Sequence, residues 1–398
     1  MNYDLLFAIL FYGLLLYLFI KNRDKFIVQN KIIAIYKTKI GLKLMDKIAK
    51  KFPKILKILS YISIFIGFAG MIIIIYFLLK SSLDLILLPN AQPAVAPVLP
   101  GIKVPGLPNL SFWHWIISIF IVAIVHEFSH GIFARLHKLK VKSSGIAFFG
   151  PILAAFVEPD EKDLNKASTK AKLSMMSAGP FSNLIFGFIF LLLMSSVMAP
   201  INTMIFEPSG IIVHQTTEGL PVSKTEIETP FLITKINNKE TLNIPQFLEA
   251  FKELKPKDLI ELQTDKGKII VIATENPDNK SEGYIGISDF EIKQVNSLKK
   301  YQFLGDITKW VTLLFFWLFV VNIGVGLFNL LPLGPIDGGR MFHVVALAVF
   351  KNKNKAMKAY NFISLFCLLL LFINILPYLI KLIVFIVKPL ILLITLLI

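Results

Sequence analysis

Two histidines and a glutamate occupy one helical turn of an apolar segment, in the sequence His126-Glu127-Phe128-Ser129-His130. On a helix, His126 and His130 face the same way, so their imidazoles can share one metal ion, for which zinc is the usual choice. Glu127 lies beside them, where its carboxylate can take a proton from a water that the metal activates. The spacing therefore predicts a metal-dependent hydrolytic site.

The surroundings of this motif strengthen the prediction. Residues 111–136 form an apolar run that is long enough to cross a membrane. A charged group at the centre of such a helix costs about 2.5 kcal/mol or more. A His-Glu-His cluster facing lipid would have no stabilising role, and inside a bundle the alternative is a hydrogen-bonded polar core. We expect a metal site.

The composition predicts a polytopic α-helical membrane protein with about 6–7 transmembrane helices. The chain has 398 residues, of which 55% are hydrophobic, and a mean hydropathy of +0.68. The final apolar run is broken near Pro377 and Lys381, which predicts two spans there. The first run lacks a basic start and a cleavage site, so we expect a retained anchor rather than a signal peptide. Apolar runs occur at about 4–20, 56–79, 111–136, 172–199, 306–331 and 359–398.

The charge distribution predicts the orientation of the spans. Residues 21–57 contain 12 Lys and Arg against only two Asp, so this loop should be cytoplasmic and the N-terminus outside. The span carrying the two histidines then runs inward and places the metal about 12 Å from the cytoplasmic boundary, at 1.5 Å per residue. Residues 201–302, with 15 acidic residues and 12 Lys, should be exterior. The overall charge of +16 therefore reflects membrane topology, and nucleic-acid binding is not expected.

Three segments between the spans are not expected to cross the membrane. Residues 86–110 carry six Pro, which favour an irregular loop. Residues 144–159 are apolar, short and broken by Gly and Pro, which predicts a hairpin that dips back into the protein; an amphipathic surface loop is the alternative. The exterior segment is predicted to be a small α+β module. Its strands are expected at 210–213, 231–236, 259–263 and 268–273, and its helix at 244–254.

A catalytic zinc needs a third protein ligand, and Asp337 is the candidate. It follows Asn329 in the sequence NLLPLGPIDGG, whose prolines and glycines break the helix and can turn a carboxylate into the bundle. The alternative is that Asp337 is an ordinary N-cap. Asn183, in the sequence AGPFSN, could donate a hydrogen bond to an oxyanion or tie helices together. His343 could also reach the site.

The remaining polar positions are expected to be ordinary. The single cysteine, Cys367, excludes an intramolecular disulfide and a cysteine zinc site, and should be a packing residue. Glu158 and Asp160 end the predicted hairpin and should be solvated. The other histidines, which should lie near boundaries or outside, are His114, His137 and His214.

Taken together, HEFSH, GPFSN and NLLPLGPIDGG resemble, in order, the motifs of the site-2 protease family of intramembrane zinc metalloproteases, over roughly residues 86–350. The resemblance implies one zinc ion at His126, His130 and Asp337, with Glu127 as general base and Asn183 as an active-site accessory. It also implies an extracytoplasmic PDZ-like domain at about 205–292. The Gly–Leu–Gly–Phe loop with which many PDZ domains hold a carboxylate is not recognisable here.

The resemblance also implies cleavage of single-span membrane proteins within the bilayer of the cell membrane, and the predicted depth of the metal places the cut near the cytoplasmic side. An ion-coupled carrier that uses the same His, Glu and Asp cluster as an ion pathway is the alternative, and the oligomeric state is left open. The expected regions are N-terminal spans and a basic loop at 1–80, two parts of a catalytic core at 86–200 and 303–350 flanking the PDZ-like domain, and C-terminal spans at 359–398.

Overall fold

In the computed structural model, two units are described separately. The membrane unit comprises Met1–Met194 and Leu313–Ile398, and the second unit comprises Ser195–Thr312. Both are described over residues 3–29, 33–88, 91–102, 104, 106–149, 152–252, 254–277, 279–296 and 302–395. The helices are α1 Tyr3–Lys21, α2 Leu42–Lys51, α3 Pro53–Leu87, α4 Phe112–Leu136, α5 Glu161–Lys166, α6 Thr169–Leu193, α7 Ala199–Ile205, α8 Ile244–Lys252, α9 Gln302–Asn329, α10 Asp337–Phe350 and α11 Lys353–Thr395.

Six helices among the described residues are long and apolar enough to cross a membrane. Many of their large apolar side chains point outward, among them Phe65, Ile72 and Phe362, each more than two-thirds exposed. Outward apolar side chains suit contact with lipid, so this arrangement agrees with the predicted polytopic architecture. The six ranges are Asp4–Lys21, Pro53–Leu87, Phe112–Leu136, Thr169–Ile205, Gln302–Asn329 and Lys353–Val384.

The C-terminal apolar run differs from the prediction of two spans. It forms one helix, α11, which continues through Pro377 and Lys381 to Thr395. A proline inside a helix removes one hydrogen bond and often kinks the axis, but it need not end the helix. Lys381 is exposed, so its charge does not have to be accommodated by a break. The prediction of an interruption was therefore wrong.

An antiparallel sheet of four strands lies beside the helices of the membrane unit. Its order is β1-β2-β3-β4. The hairpin predicted at 144–159 forms β3 and β4, whose register pairs Ser144 with Val157. β2 pairs along β3, with Thr38 opposite Ser144, so β4 is an edge strand. The strands are β1 Ile27–Gln29, β2 Ile33–Thr38, β3 Val141–Phe149 and β4 Ile152–Pro159.

Residues 21–57, which the charge pattern presented as a loop, contain β1, β2 and α2. Glu158 on β4 accepts hydrogen bonds from Lys37 Nζ on β2 at 2.7 Å and from Ser143 Oγ on β3 at 2.5 Å. These bonds hold the pKa of the Glu158 carboxyl below its usual range. Glu158 therefore connects β2 and β3 to β4 rather than being simply solvated, and Asp160 caps α5 by accepting from the backbone of Lys162 and Asp163.

Small polar residues hold α3 against α6. Ser60 Oγ donates to Ser174 Oγ at 2.6 Å, and Ser177 Oγ donates to Ser63 Oγ at 2.9 Å; all four side chains are buried. Small residues let helix backbones approach closely in an apolar environment, where hydrogen bonds add to packing. The helix that carries the GPFSN sequence is therefore fixed beside α3.

The second unit contains a sheet in the order β12-β5-β6-β8-β9, with β7 added to β6, and includes α7, α8 and the start of α9 among its helices. Buried Phe247 and Ala250 on α8 pack with the apolar core of the sheet. All four predicted strands and the predicted helix are present, because alternating apolar residues mark the buried face of each strand. The strands are β5 Phe206–Thr216, β6 Phe231–Ile236, β7 Lys239–Glu240, β8 Leu259–Thr264, β9 Gly267–Ile272, β10 Thr274–Glu275, β11 Gly283–Tyr284 and β12 Ile287–Asn296.

Candidate metal centre

Helix α4 presents both histidines of the HEFSH sequence on one face. The imidazole centroids of His126 and His130 lie 4.7 Å apart, with their ring planes at 80°. This is the geometry expected for residues one helical turn apart. Together with Asp337, they form a group whose possible ligand atoms all lie within 4.8 Å of one another.

Asp337 approaches both histidines with the same oxygen. Its Oδ2 lies 3.0 Å from His126 Nε2 and 3.2 Å from His130 Nε2. Ile336 is the N-cap of α10, and Asp337 is the first helical residue. The alternative prediction of an ordinary N-cap is therefore wrong, because the carboxylate turns towards the imidazoles.

The paired glycines after Asp337 allow α10 to start where it does. A Cβ on Gly338 would collide with the backbone of Leu330, and a Cβ on Gly339 would lie 2.5 Å from the carbonyl oxygen of Gly334. Only glycine permits backbone segments to approach so closely. The IDGG sequence thus folds the segment after α9 tightly against the start of α10 and directs Asp337 into the bundle.

The three donors fit a tetrahedral zinc ion. Zinc–nitrogen and zinc–oxygen bonds of about 2.0–2.1 Å place neighbouring ligands of a tetrahedron about 3.3 Å apart. The two measured separations from Asp337 Oδ2, 3.0 and 3.2 Å, are close to that value. Two imidazoles and one carboxylate are also a usual donor set for catalytic zinc, and they leave a fourth position for water or substrate.

The hydrogen bond on the far side of His130 fixes its ligand atom. His130 Nδ1 lies 2.6 Å from the carbonyl oxygen of Met175 on α6. A carbonyl only accepts, so Nδ1 carries the proton, and Nε2, which faces Asp337, keeps its lone pair for a metal.

Asn183 performs the equivalent task for His126. Its amide nitrogen lies 3.0 Å from His126 Nδ1, while its Oδ1 is buried without a hydrogen-bond partner among the described residues. An amide can be turned over without changing its shape, and hydrogen-bond accounting selects the orientation. With Oδ1 facing Nδ1–H, the orphaned oxygen gains a donor and His126 Nε2 is free to bind a metal. This contact supports a role for Asn183 in positioning His126.

We expect Asn183→Ala to weaken zinc binding by about tenfold to a hundredfold, because loss of a partner of a ligating histidine typically has this effect. Competition with a chromogenic chelator measures the affinity. Asn322→Ala is the matched control, since Asn322 is an equally buried amide on α9 that bonds the carbonyl of Leu318 and lies outside the cluster of His126, His130 and Asp337. Equal zinc affinities in the two variants would contradict the positioning role.

Gly179, in the GPFSN sequence, lies directly against the ligand atoms. A Cβ at this position would lie 2.5 Å from His130 Nε2 and 2.6 Å from His126 Nε2. The space beside the two nitrogens therefore exists because residue 179 has no side chain. We did not single out this glycine from the sequence, although its place three residues before Ser182-Asn183 was visible.

Glu127 faces the sheet. Its Oε2 accepts a hydrogen bond at 3.0 Å from the backbone nitrogen of Val157 on β4. It also lines a cavity between α4 and the sheet. The carboxylate thus lies on α4 next to His126 and is anchored to the edge strand.

The other histidines lie outside this cluster. His343 packs against the ring of Tyr360, with the centroids 5.2 Å apart, and is not part of the group formed by His126, His130 and Asp337. His214 pairs with Glu291 in the second unit. His137 bonds Ser174, and His114 bonds Ser111 at the start of α4.

Comparison with known proteins agrees with this geometry. Residues 114–373 match the model of Peptidase family M50 and include all five residues of the predicted site. The chain is also 30% identical over 366 residues to an uncharacterized protein of Methanocaldococcus jannaschii, covering 89% of this chain and 90% of the relative. The match extends over more than half of the chain, and six of the described helices are apolar and long enough to span a membrane. The protein therefore belongs to peptidase family M50, the site-2 protease family of membrane zinc metalloproteases.

Proposed function

We propose that this protein is an intramembrane endopeptidase that binds one zinc ion per chain and cleaves transmembrane helices of single-span membrane proteins. The observation that carries the proposal is the position of the metal cluster. His126 and His130 lie on α4, a helix long and apolar enough to span a membrane, and Asp337 meets them from α10. A hydrolytic site on a helix of this kind suits a substrate that is itself in the bilayer.

The residues of this chain divide the chemistry between them. Zinc held by His126, His130 and Asp337 would polarise the peptide carbonyl and acidify water. Glu127 removes the proton from the attacking water and returns it to the leaving nitrogen. Met175 and Asn183 hold the two imidazoles in the tautomer that points Nε2 inward. Donation of a hydrogen bond by Asn183 to an oxyanion of the substrate would be a second role, in addition to its contact with His126.

A helical substrate must unwind before it can be cut, because its carbonyls are occupied by internal hydrogen bonds. The edge of β4 opposite β3 is not paired with another described strand and could offer backbone groups to an extended segment. At this edge the backbone N–H of Val157 donates to Glu127, so the edge lies beside the proposed general base. A substrate strand paired at this edge would pass close to the general base.

The proposed orientation rests on charge. The basic residues at 21–57 favour a cytoplasmic location for that segment, with the N-terminus outside and the metal nearer the cytoplasmic face. The unit at 195–312 is then extracytoplasmic. The packing of α8 against a small antiparallel sheet is compatible with a PDZ-like domain, which could filter substrates.

The test is cleavage of a model single-span substrate by the detergent-purified protein, with product masses mapping the cut. We expect zinc-dependent cutting in the cytoplasmic half of the substrate helix. Gly, Pro or Asn introduced there should accelerate it, because each lowers the cost of unwinding. A scissile bond in a soluble loop would refute intramembrane cleavage. Stoichiometric zinc with no proteolysis would instead favour the ion-coupled carrier.

A further inference from the structure

A cavity of 380 Å³ opens between α4 and the four-stranded sheet of the membrane unit. Apolar atoms line almost all of it, and Glu127 contributes to its wall. On one side are Phe120, Ile124 and Phe128 of α4, and on the other are residues of β3 and β4. Because Glu127 would act on the scissile bond, whatever occupies the cavity lies beside the reacting carbonyl.

The third wall comes from the N-terminal part of the chain. Tyr36 and Thr38 of β2 and Gly41 and Met45 at the start of α2 line the cavity. These residues precede the range 114–373 that matches the family model. The resemblance therefore does not account for this wall.

Two contacts fix α2 on the catalytic helix. Met45 is almost fully buried, and its side chain fills the space where Gly131, the residue after His130, has no Cβ. One turn along α4 from Gly131, Arg135 forms an ion pair with Asp46 of α2, in which Arg135 Nε lies 3.0 Å from Asp46 Oδ1. β2 is held independently by its pairing with β3. The wall is thus attached at both ends, to α4 and to the sheet.

The chemistry of the lining determines the occupant. An extended segment paired to the edge of β4 opposite β3 projects successive side chains to opposite faces, so some of them enter the space beside the strand. A buried apolar lining excludes charged side chains and accepts large apolar ones. An apolar cavity of roughly 150 Å³ already accommodates a benzene ring, so the volume here suffices for an aromatic or branched side chain.

We propose that this cavity is the specificity pocket for one bulky apolar side chain next to the scissile bond, and that Tyr36 and Met45 set its size. The proposal rests on the proposed protease function. It adds that an N-terminal segment outside the matched family region selects the substrate. The occupant is a side chain of the unwound substrate.

The first experiment compares substrates that differ only in one residue beside the mapped scissile bond, which is Ala, Leu, Phe or Trp in turn. For the full-length enzyme we expect kcat/KM for Leu or Phe to exceed that for Ala by at least about tenfold, since even one methylene in an apolar pocket is worth that factor. Met45→Ala and Tyr36→Ala, on different elements, should each raise the Trp-to-Leu ratio by about tenfold. Leu44→Ala is the control, because Leu44 lies on α2 but is exposed.

The ratio of the two kcat/KM values does not depend on how much of the variant is folded, because both substrates are cleaved by the same active fraction of enzyme. Unchanged ratios in Met45→Ala and Tyr36→Ala, with cleavage retained, would overturn the proposal. An equal shift in Leu44→Ala would also overturn it, since the effect would then come from α2 in general and not from the pocket.

A second experiment does not require turnover. Zinc-loaded Glu127→Gln is mixed with a substrate carrying a photoreactive apolar side chain at the same position, and the crosslinks are mapped by mass spectrometry. We expect crosslinks at residues 36–45. Crosslinks confined to other segments, as would result if a lipid chain fills the cavity, would overturn the pocket. Crosslinks at 36–45 without cleavage of any substrate by the wild-type protein would support the pocket and refute the proposed protease instead.

Discussion

Glu127→Gln should reduce the rate of peptide cleavage by about a hundredfold to ten-thousandfold, which is the usual range for loss of a general base. The amide of glutamine has nearly the same shape as the carboxylate, but it cannot accept the proton of the attacking water. Its Oε1 can still accept the hydrogen bond that Val157 N–H now donates to Glu127. The contact with β4 and the fold should therefore survive.

The measurement pairs initial cleavage rates with the zinc content of the same preparation. Zinc should remain at one ion per chain, because His126, His130 and Asp337 are untouched. Glu161→Gln is a suitable control, since Glu161 is an exposed acidic residue in the first turn of α5. A Glu127→Gln variant that cleaves at the wild-type rate would remove Glu127 from the role of general base.

The meeting of Asp337 with the two histidines could be predicted from the sequence. Helical spacing places His126 and His130 on one face, and a carboxylate after a helix break at a similar depth is a reasonable third ligand. The structure brings the three together, within 4.8 Å. Zinc binding itself stays a prediction until metal analysis is done.

The features that escaped the sequence analysis depend on long-range packing. Nothing local shows that β2 will pair with β3, more than 100 residues away, or that Met45 will fill the space at Gly131. The many basic residues of segment 21–57 predict on which side of the membrane it lies, but its sequence gives little indication of its secondary structure. The charge pattern dominated its interpretation, and two strands and a helix were missed.

The C-terminal apolar run shows that residues which often break helices do not always do so. Pro377 and Lys381 are reasonable breakers in isolation, but the cost of one lost backbone bond can be offset by the helix on either side. Asn374, also in α11, is fully buried and bonds Ser81 and Ser82 of α3. Such tertiary contacts favour a single continuous helix, and they cannot be inferred from the composition of the run.

Gly179→Ala should abolish high-affinity zinc binding although it adds only one methyl group. The new Cβ would lie 2.5 Å from His130 Nε2 and 2.6 Å from His126 Nε2, which is closer than real Cβ contacts. Neither imidazole can retreat easily, because His130 is held by Met175 and His126 by Asn183. The methyl group therefore competes with the metal for the same space.

We expect zinc affinity to fall by about a hundredfold or more, beyond the usual effect of losing one partner of a ligand, and proteolysis to fall with it. Chelator competition gives the affinity, and circular dichroism checks that α6 remains helical, which alanine should favour. Gly324→Ala is the control, since a Cβ added there would meet no described heavy atom within 4 Å apart from its chain neighbours and the nearby backbone of its own helix. If Gly179→Ala retains wild-type zinc affinity, the ion does not sit between the two Nε2 atoms and Asp337, and the ligand set must be revised.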